Sequence, residues 1–188
     1  METLKEKTAK GLFWGALNNV VMQLIGVAMG VMMGRLLDAP DFGMMAMISI
    51  FSLIANELQN SGFKAALNNI KTPTDNDYNS VFWFNIVVGG ILYVLLFFSA
   101  PLIAGYYHTP ALVPLCRYAF LSFVFSSFGT AQSAYLLKNL MAKQVAKANL
   151  TATIVSSSVG VAMAWQGFSY WALATQPNLY IAINTLLY

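Results

Sequence analysis

GLFWGALNNVVMQLIGVAMGVMMGRLLDAPDFG, Gly11 to Gly43, is the stretch that decides how the remainder is read. Its first part is apolar for long enough to cross a bilayer, which takes about 20 residues at about 1.5 Å each. Gly11, Gly15, Asn19, Gln23, Gly26, Gly30 and Gly34 follow one another at intervals of four or three. That spacing draws one slanting stripe of small and polar positions along a helix. Lipid gains nothing from such a stripe. A neighbouring helix does, because glycine lets backbones approach, and so does a water-filled cavity, because amides find partners there. Gly26, Gly30 and Gly34 are the candidates for helix packing; Asn19 and Gln23 are the candidates for a polar interior. The run stops at Arg35 and reverses within RLLDAPDFG. Pro40 suits the first turn of a second helix, with Asp38 and Asp41 near its positive end. The hairpin therefore opens a multi-helix membrane bundle.

Composition agrees. Of 188 residues, 58% are hydrophobic and only 9% charged, whereas soluble domains carry roughly a quarter charged residues. The net charge of +3 is scattered, with no basic block that would suggest nucleic acid. The single cysteine, Cys116, rules out an internal disulfide and a multi-cysteine metal site, and reads as a core residue. The N-terminal apolar run is too long for the core of a signal peptide and is taken as a retained span.

Six hydrophobic spans are expected: Leu12 to Leu36, Pro40 to Leu58, Val81 to Ile103, Leu115 to Leu137, Leu150 to Trp165, and Trp171 to Tyr188. With a cytoplasmic N-terminus, the inner loops hold Lys5, Lys7, Lys10, Lys64, Lys71, Lys138, Lys143 and Lys147, and the outer ones only Arg35 and Arg117. Eight against two is a strong positive-inside bias. The last span stops without a cap or polar flank, so the chain is expected to be the N-terminal part of a longer protein.

The other spans carry stripes too: Ser49, Ser52, Asn56 and Asn60; Asn85, Gly89 and Tyr93; Ser122, Ser126, Gly129 and Ser133; Thr153, Ser157 and Gly160. Two readings stay open, tight helix packing and a shared hydrophilic interior. The amides favour the second, since an unpaired carboxamide is costly in hydrocarbon. On that reading Asn19, Gln23, Asn56 and Asn85 face a substrate. Arg117 would bind phosphate bidentately ahead of the serine stripe on its own helix, and Lys64 would meet an anionic head group at the inner mouth. The plain alternative for Arg35, Arg117 and Glu57 is interfacial anchoring.

Chemistry-bearing motifs are missing from the sequence. His108 is the single histidine, placed in an outer loop, and neither H-E-x-x-H nor G-x-x-x-x-G-K-[ST] occurs. No catalytic residue, metal or cofactor is expected.

The runs RLLDAPDFGMMAMISIFSLIANELQNSGFKAAL, DYNSVFWFNIVVGGILYVLLFFSAPLIAGYY and GFSYWALATQ resemble the polysaccharide biosynthesis proteins. These are oligosaccharide (O-antigen type) flippases of the multidrug/oligosaccharidyl-lipid/polysaccharide exporter superfamily. The R-L-L-x-x-P-x-D-F-G pattern at Arg35 to Gly43 is the most specific part. The resemblance implies an all-α polytopic fold of two six-helix lobes around a cavity, of which this chain, as one domain, would supply the first lobe. It implies transfer of undecaprenyl-pyrophosphate-linked oligosaccharide between leaflets by alternating access. The expected partners are that lipid-linked oligosaccharide, membrane lipids, and a missing C-terminal lobe or second copy; nucleic acid is not among them. Asn60 departs from the family by replacing an acidic residue, and Pro177 interrupts a helix that is usually unbroken. A drug exporter of the same superfamily, a membrane scaffold and a glycan-assembly enzyme are the competing readings.

Overall fold

Helix follows helix along the whole described chain. The computed structural model describes residues 4–59 and 74–188. The helices are α1 (Leu4–Leu36), α2 (Ala39–Gln59), α3 (Asp75–Tyr106), α4 (Leu112–Ala119), α5 (Leu121–Lys138), α6 (Ala142–Trp165) and α7 (Tyr170–Leu187). The protein is an all-α polytopic membrane protein. Gly11–Leu36, Ala39–Gln59, Asp75–Tyr106 and Leu112–Lys138 are long and apolar enough to cross a bilayer. Their large side chains face outward: Leu24 is 65% and Leu102 75% exposed, as a lipid-facing surface requires. Among the described residues only these four segments qualify; the expected fifth and sixth spans are present as helices α6 and α7 but are not among the segments long and apolar enough to cross. Helices α6 and α7 are more polar because they pack on each other through buried groups: Gln176 Nε2 donates to Ser157 Oγ (3.2 Å) and Asn184 Nδ2 to Asn149 Oδ1 (2.8 Å).

The turn between α1 and α2 forms as its residues dictate. Pro40 sits in the first turn of α2, and the Asp38 amide donates to Asp41 Oδ2 (3.2 Å), placing a carboxylate at the positive helix end. At the start of α3, Asp77 Oδ2 accepts from both the amide and the hydroxyl of Thr74, each at 2.8 Å. The α3 C-terminus closes with His108 in the left-handed region (φ 51°), its neighbour Thr109 donating back to the Ala104 carbonyl (2.9 Å).

The expected fourth span, Leu115 to Leu137, lies within Leu112–Lys138, with one interruption that the sequence does not announce. It is broken at Phe120 into α4 and α5, and neither proline nor glycine marks the place. Two side chains stabilise the break. Ser122 Oγ donates to the Ala119 carbonyl (2.9 Å), and Asn178 Nδ2, from α7, donates to the Tyr118 carbonyl (2.7 Å). Phe120 itself is fully buried beside Leu112, Leu115 and Cys116, in the largest apolar core, which α2, α3, α4 and α7 share. Cys116 is thus a core residue, as its sequence context suggests.

In packing order α1 lies on α6, α6 on α7, α7 on α5 and α5 on α3, while α2 lies against α7 and α3. Although consecutive, α1 and α2 therefore rest on different partners. Pro101 and Pro177 both lie inside helices that continue through them.

Candidate functional site

The stripes divide into two kinds. Gly89, Gly129 and Gly160 are packing positions. A methyl at Gly89 would meet Ser127 Cβ at 2.8 Å, one at Gly129 would meet Thr185 Oγ1 at 2.8 Å, and one at Gly160 would meet Met33 Cε at 3.0 Å. Glycine allows α3 to approach α5 and α5 to approach α7 this closely, while at Gly160 the nearest neighbour is the flexible end of Met33. The α1 glycines differ. A methyl at Gly26, Gly30 or Gly34 would meet nothing within 4 Å, so the expectation that they pack a neighbouring helix is not met among the described residues. The reason lies in the register of α1, which turns Met22 and Met33 toward α6. Thr153 Oγ1 donates to Met22 Sδ (3.0 Å) and Met33 is 3% exposed. Asn19, Gln23, Gly26, Gly30 and Gly34 lie on exposed positions.

The stripes of α2 and α5 face one another across a crevice floored by α7. A cavity of about 300 Å³ is lined by Ser49, Ser52 and Asn56 of α2, Ser122 and Ser126 of α5, and Asn178 of α7. Next to it, sharing Ser126 and Ile181, lies a smaller cavity of about 170 Å³ lined by Thr130, Ser133, Tyr180, Asn184, Thr185 and Tyr188. The two adjoin along the α5–α7 seam, and apolar side chains such as Ile48, Leu53 and Ile181 lie between their polar groups. None of the side chains lining them is charged.

Its hydrogen-bond character is one-sided. Ser49 Oγ donates to the Ala46 carbonyl (2.7 Å), Ser122 Oγ to Ala119 (2.9 Å), and Thr130 Oγ1 to Ser126 (3.0 Å). These protons are committed to backbone, which leaves hydroxyl lone pairs for whatever enters. Asn178 and Asn184 each donate one N–H to the protein, and the Oδ1 of each is buried without a partner, sealed from the crevice. The hydroxyl lone pairs of Ser49, Ser122 and Thr130 suit a ligand that brings O–H or N–H donors. The crevice is a poor host for a phosphate, which is itself an acceptor.

Gln59, the last residue of α2, closes the crevice on the α3 side. It is 7% exposed, its Nε2 donates to the Phe123 carbonyl (2.9 Å), and its Oε1 accepts from Ser126 Oγ (2.8 Å). One carboxamide thus ties α2 to α5, directly above Gly89 of α3, whose added methyl would stand 3.1 Å from Nε2. A second hub joins α6 to α7: Asn149 Oδ1 accepts from Asn184 Nδ2 (2.8 Å), Tyr188 OH (3.1 Å) and Tyr180 OH (3.4 Å).

The structure separates the residues that the sequence groups together. Asn56 lies in the crevice. Asn19 lies instead in a cavity between α1 and the α5–α6 turn, and Gln23 is exposed on α1. Asn85 is corrected from cavity to packing: it is 2% exposed and its Nδ2 donates to the Val81 carbonyl of its own helix (2.8 Å). Arg117 is corrected as well. It belongs to α4, on the far side of the break from the serine stripe. Its guanidinium lies over the Phe97 ring of α3, 4.1 Å from the centroid, rather than in the crevice. Lys64 and Asn60 fall outside the described residues.

Sequence reasoning missed Gln59, Asn149, Asn178 and Asn184. The available signal was the cost of a carboxamide inside an otherwise apolar helix, which the low hydropathy of the final segment contains. Among the described residues no cluster of three potential metal ligands occurs.

Comparison with known proteins follows this geometry. The model of the family described as "Polysaccharide biosynthesis protein" matches residues 32–188. The chain is 26% identical over 156 residues to the teichuronic acid biosynthesis protein TuaB of Bacillus subtilis, covering 83% of this chain and 32% of that one. It is 25% identical over 183 residues to the lipopolysaccharide biosynthesis protein WzxC of Escherichia coli, covering 97% of this chain and 36% of that one. A third relative, a membrane protein in the cps region of Klebsiella pneumoniae, is 25% identical over 138 residues, covering 73% of this chain and 28% of that one. The chain spans about a third of the length of these relatives. No solved structure matches it.

Proposed function

The chain belongs to the polysaccharide biosynthesis protein family, and from that premise we propose that it forms the sugar-holding half of a flippase. The substrate is an undecaprenyl-pyrophosphate-linked oligosaccharide. It moves from the inner to the outer leaflet of the inner membrane by alternating access, for surface polysaccharide assembly. No bond is made or broken; the work is to hide a polar head group while its lipid tail stays in the bilayer.

The observation that carries this reading is the uncharged, hydroxyl-lined crevice between α2, α5 and α7. Sugar hydroxyls are donors in search of acceptors, and the flanking Tyr180 and Tyr188 add amphipathic surface to the same seam. The pyrophosphate requires cations, and Arg117 lies over Phe97, outside the lining of the crevice. In this proposal the crevice reads sugar, and the charge is met elsewhere, with Lys64 kept as the candidate at the inner mouth. The exposed stripe of α1 is the face on which a second half, supplied by a longer chain or a second copy, closes. The N-terminus is cytoplasmic in this arrangement, which puts the lysine-bearing loops inside.

The test uses the Asn56→Cys and Ser122→Cys variants in proteoliposomes, labelled with a membrane-permeant, thiol-reactive probe. Lipid-linked oligosaccharide is expected to slow both labelling rates, while undecaprenyl pyrophosphate without sugar leaves them unchanged. Equal protection by the bare carrier would refute sugar reading by the crevice.

A further inference from the structure

The largest apolar groove next to α1 belongs to neither the crevice nor the packing seams. About 600 Å³ in volume, it runs between the start of α1 and the α5–α6 turn, within the roughly 300–1,000 Å³ typical of small-ligand sites. Its walls are Leu12, Leu136, Leu137, Leu140 and Val145, and Gly11 and Gly15 keep its α1 side low. Three features stand within it or on residues adjoining its lining. Lys143 Nζ lies 5.5 Å from the centroid of the Trp14 ring, a cation held beside an aromatic suited to the membrane interface. Lys147, one turn along α6, is exposed on the same helix end. The carboxamides of Asn18 and Asn19 line the groove one turn deeper than Trp14.

The wall is also built at a conformational cost. Leu140 takes φ 54°, a left-handed position at the end of α5 that favours glycine. Its amide donates to the Leu137 carbonyl (3.1 Å) and the next amide, of Met141, to Leu136 (3.0 Å), which completes the cap. Glycine would close this turn without strain but would leave the groove short of a wall. The carboxylate of Asp75 lies on a different side of α5, in the cavity shared with Tyr78 and Tyr135, so it does not offset the lysines here.

We infer that this groove is a binding site for an anionic glycerophospholipid. One acyl chain lies along the leucines, the ester carbonyls accept from Asn18 and Asn19, and the phosphate pairs with Lys143. The adjoining charge selects an anion, and the apolar length of the groove selects a lipid over a free phosphate. Nothing in this inference depends on the sugar-reading role of the crevice.

The test makes Trp14 the sole tryptophan, through Trp83→Phe, Trp165→Phe and Trp171→Phe, in phosphatidylcholine vesicles of low ionic strength. Brominated-chain phosphatidylglycerol or brominated-chain phosphatidylcholine is then titrated in as quencher. Phosphatidylglycerol is expected to be preferred about fivefold, the effect of one basic residue near an anionic surface. Lys143→Gln brings the preference to about one. Leu140→Gly, which relaxes the turn and keeps the fold, weakens quenching by both lipids. Equal quenching by both lipids, or a preference that survives Lys143→Gln, overturns the inference. So does recovery of Trp14 emission at a far lower membrane fraction of undecaprenyl pyrophosphate than of unbrominated phosphatidylglycerol, which would make the groove a carrier-lipid site.

Discussion

Gly89→Ala and Gly30→Ala add the same methyl group to two glycines that look alike in sequence, and their consequences should be opposite. At Gly89 the new carbon would lie 2.8 Å from Ser127 Cβ and 2.9 Å from the Phe123 carbonyl oxygen, well inside the roughly 3.5–4.0 Å of a favourable carbon contact. Both neighbours are fixed to the α5 backbone, so α3 and α5 must separate. Overpacking of this kind costs about 1–3 kcal/mol. The Phe123 carbonyl also accepts from Gln59 Nε2, so separation weakens a buried bond worth about 0.5–1.5 kcal/mol. The expected destabilisation is about 2–4 kcal/mol, a fall of roughly 5–15 °C in unfolding midpoint for a chain of this size. At Gly30 nothing lies within 4 Å, and alanine gains up to about 1 kcal/mol of helix propensity; the midpoint should hold or rise slightly. The assay is thermal unfolding of the purified chain in detergent, followed by far-ultraviolet circular dichroism. Equal midpoints for the two variants, or a larger loss at Gly30, would refute the division of the glycines into packed and open.

Asn178→Ala leaves the Tyr118 carbonyl without its partner at the α4–α5 break; a loss of about 1–3 kcal/mol is expected, read as a lower midpoint in the same assay. Gln59→Leu removes both bonds that tie α2 to α5, and amide hydrogen exchange should accelerate at the C-terminal end of α2 while α6 and α7 stay protected. Arg117→Lys exchanges a planar cation over Phe97 for a point charge. It should cost about 0.5–2 kcal/mol, and a double-mutant cycle with Phe97→Leu should recover that coupling. A probe small enough to enter the crevice should label Ser52→Cys faster than Asn85→Cys, since one lines a cavity and the other is sealed. Native Cys116, fully buried, contributes little background.

The sequence alone settles a great deal here, for physical reasons. Hydrocarbon forces every backbone bond to close within a helix, so long apolar runs bounded by Pro40, Thr74 and the lysines of Lys138 to Lys147 could only be helices in a membrane bundle. Stripes at helical spacing mark faces unsuited to lipid, and Asn56, Ser52, Ser122 and Ser126 do meet across one crevice, whereas the α1 stripe stays exposed from Asn19 to Gly34. Periodicity states that a face is special but not what lies opposite it. Gly30 and Gly89 carry the same local signal; one opens on nothing and the other is pressed against α5. The break at Phe120 is only partly local: Ser122 bonds the Ala119 carbonyl from within the segment, but the Tyr118 carbonyl is held by Asn178, distant by 60 residues. Arg117 was legible as a cation but not as a partner of Phe97, since that pairing depends on how α4 tilts against α3. Local chemistry determined which segments are helices and which faces are polar. Only the tertiary arrangement decided which of those faces are filled by another helix and which remain open to a ligand, because that outcome rests on contacts between residues far apart in the chain.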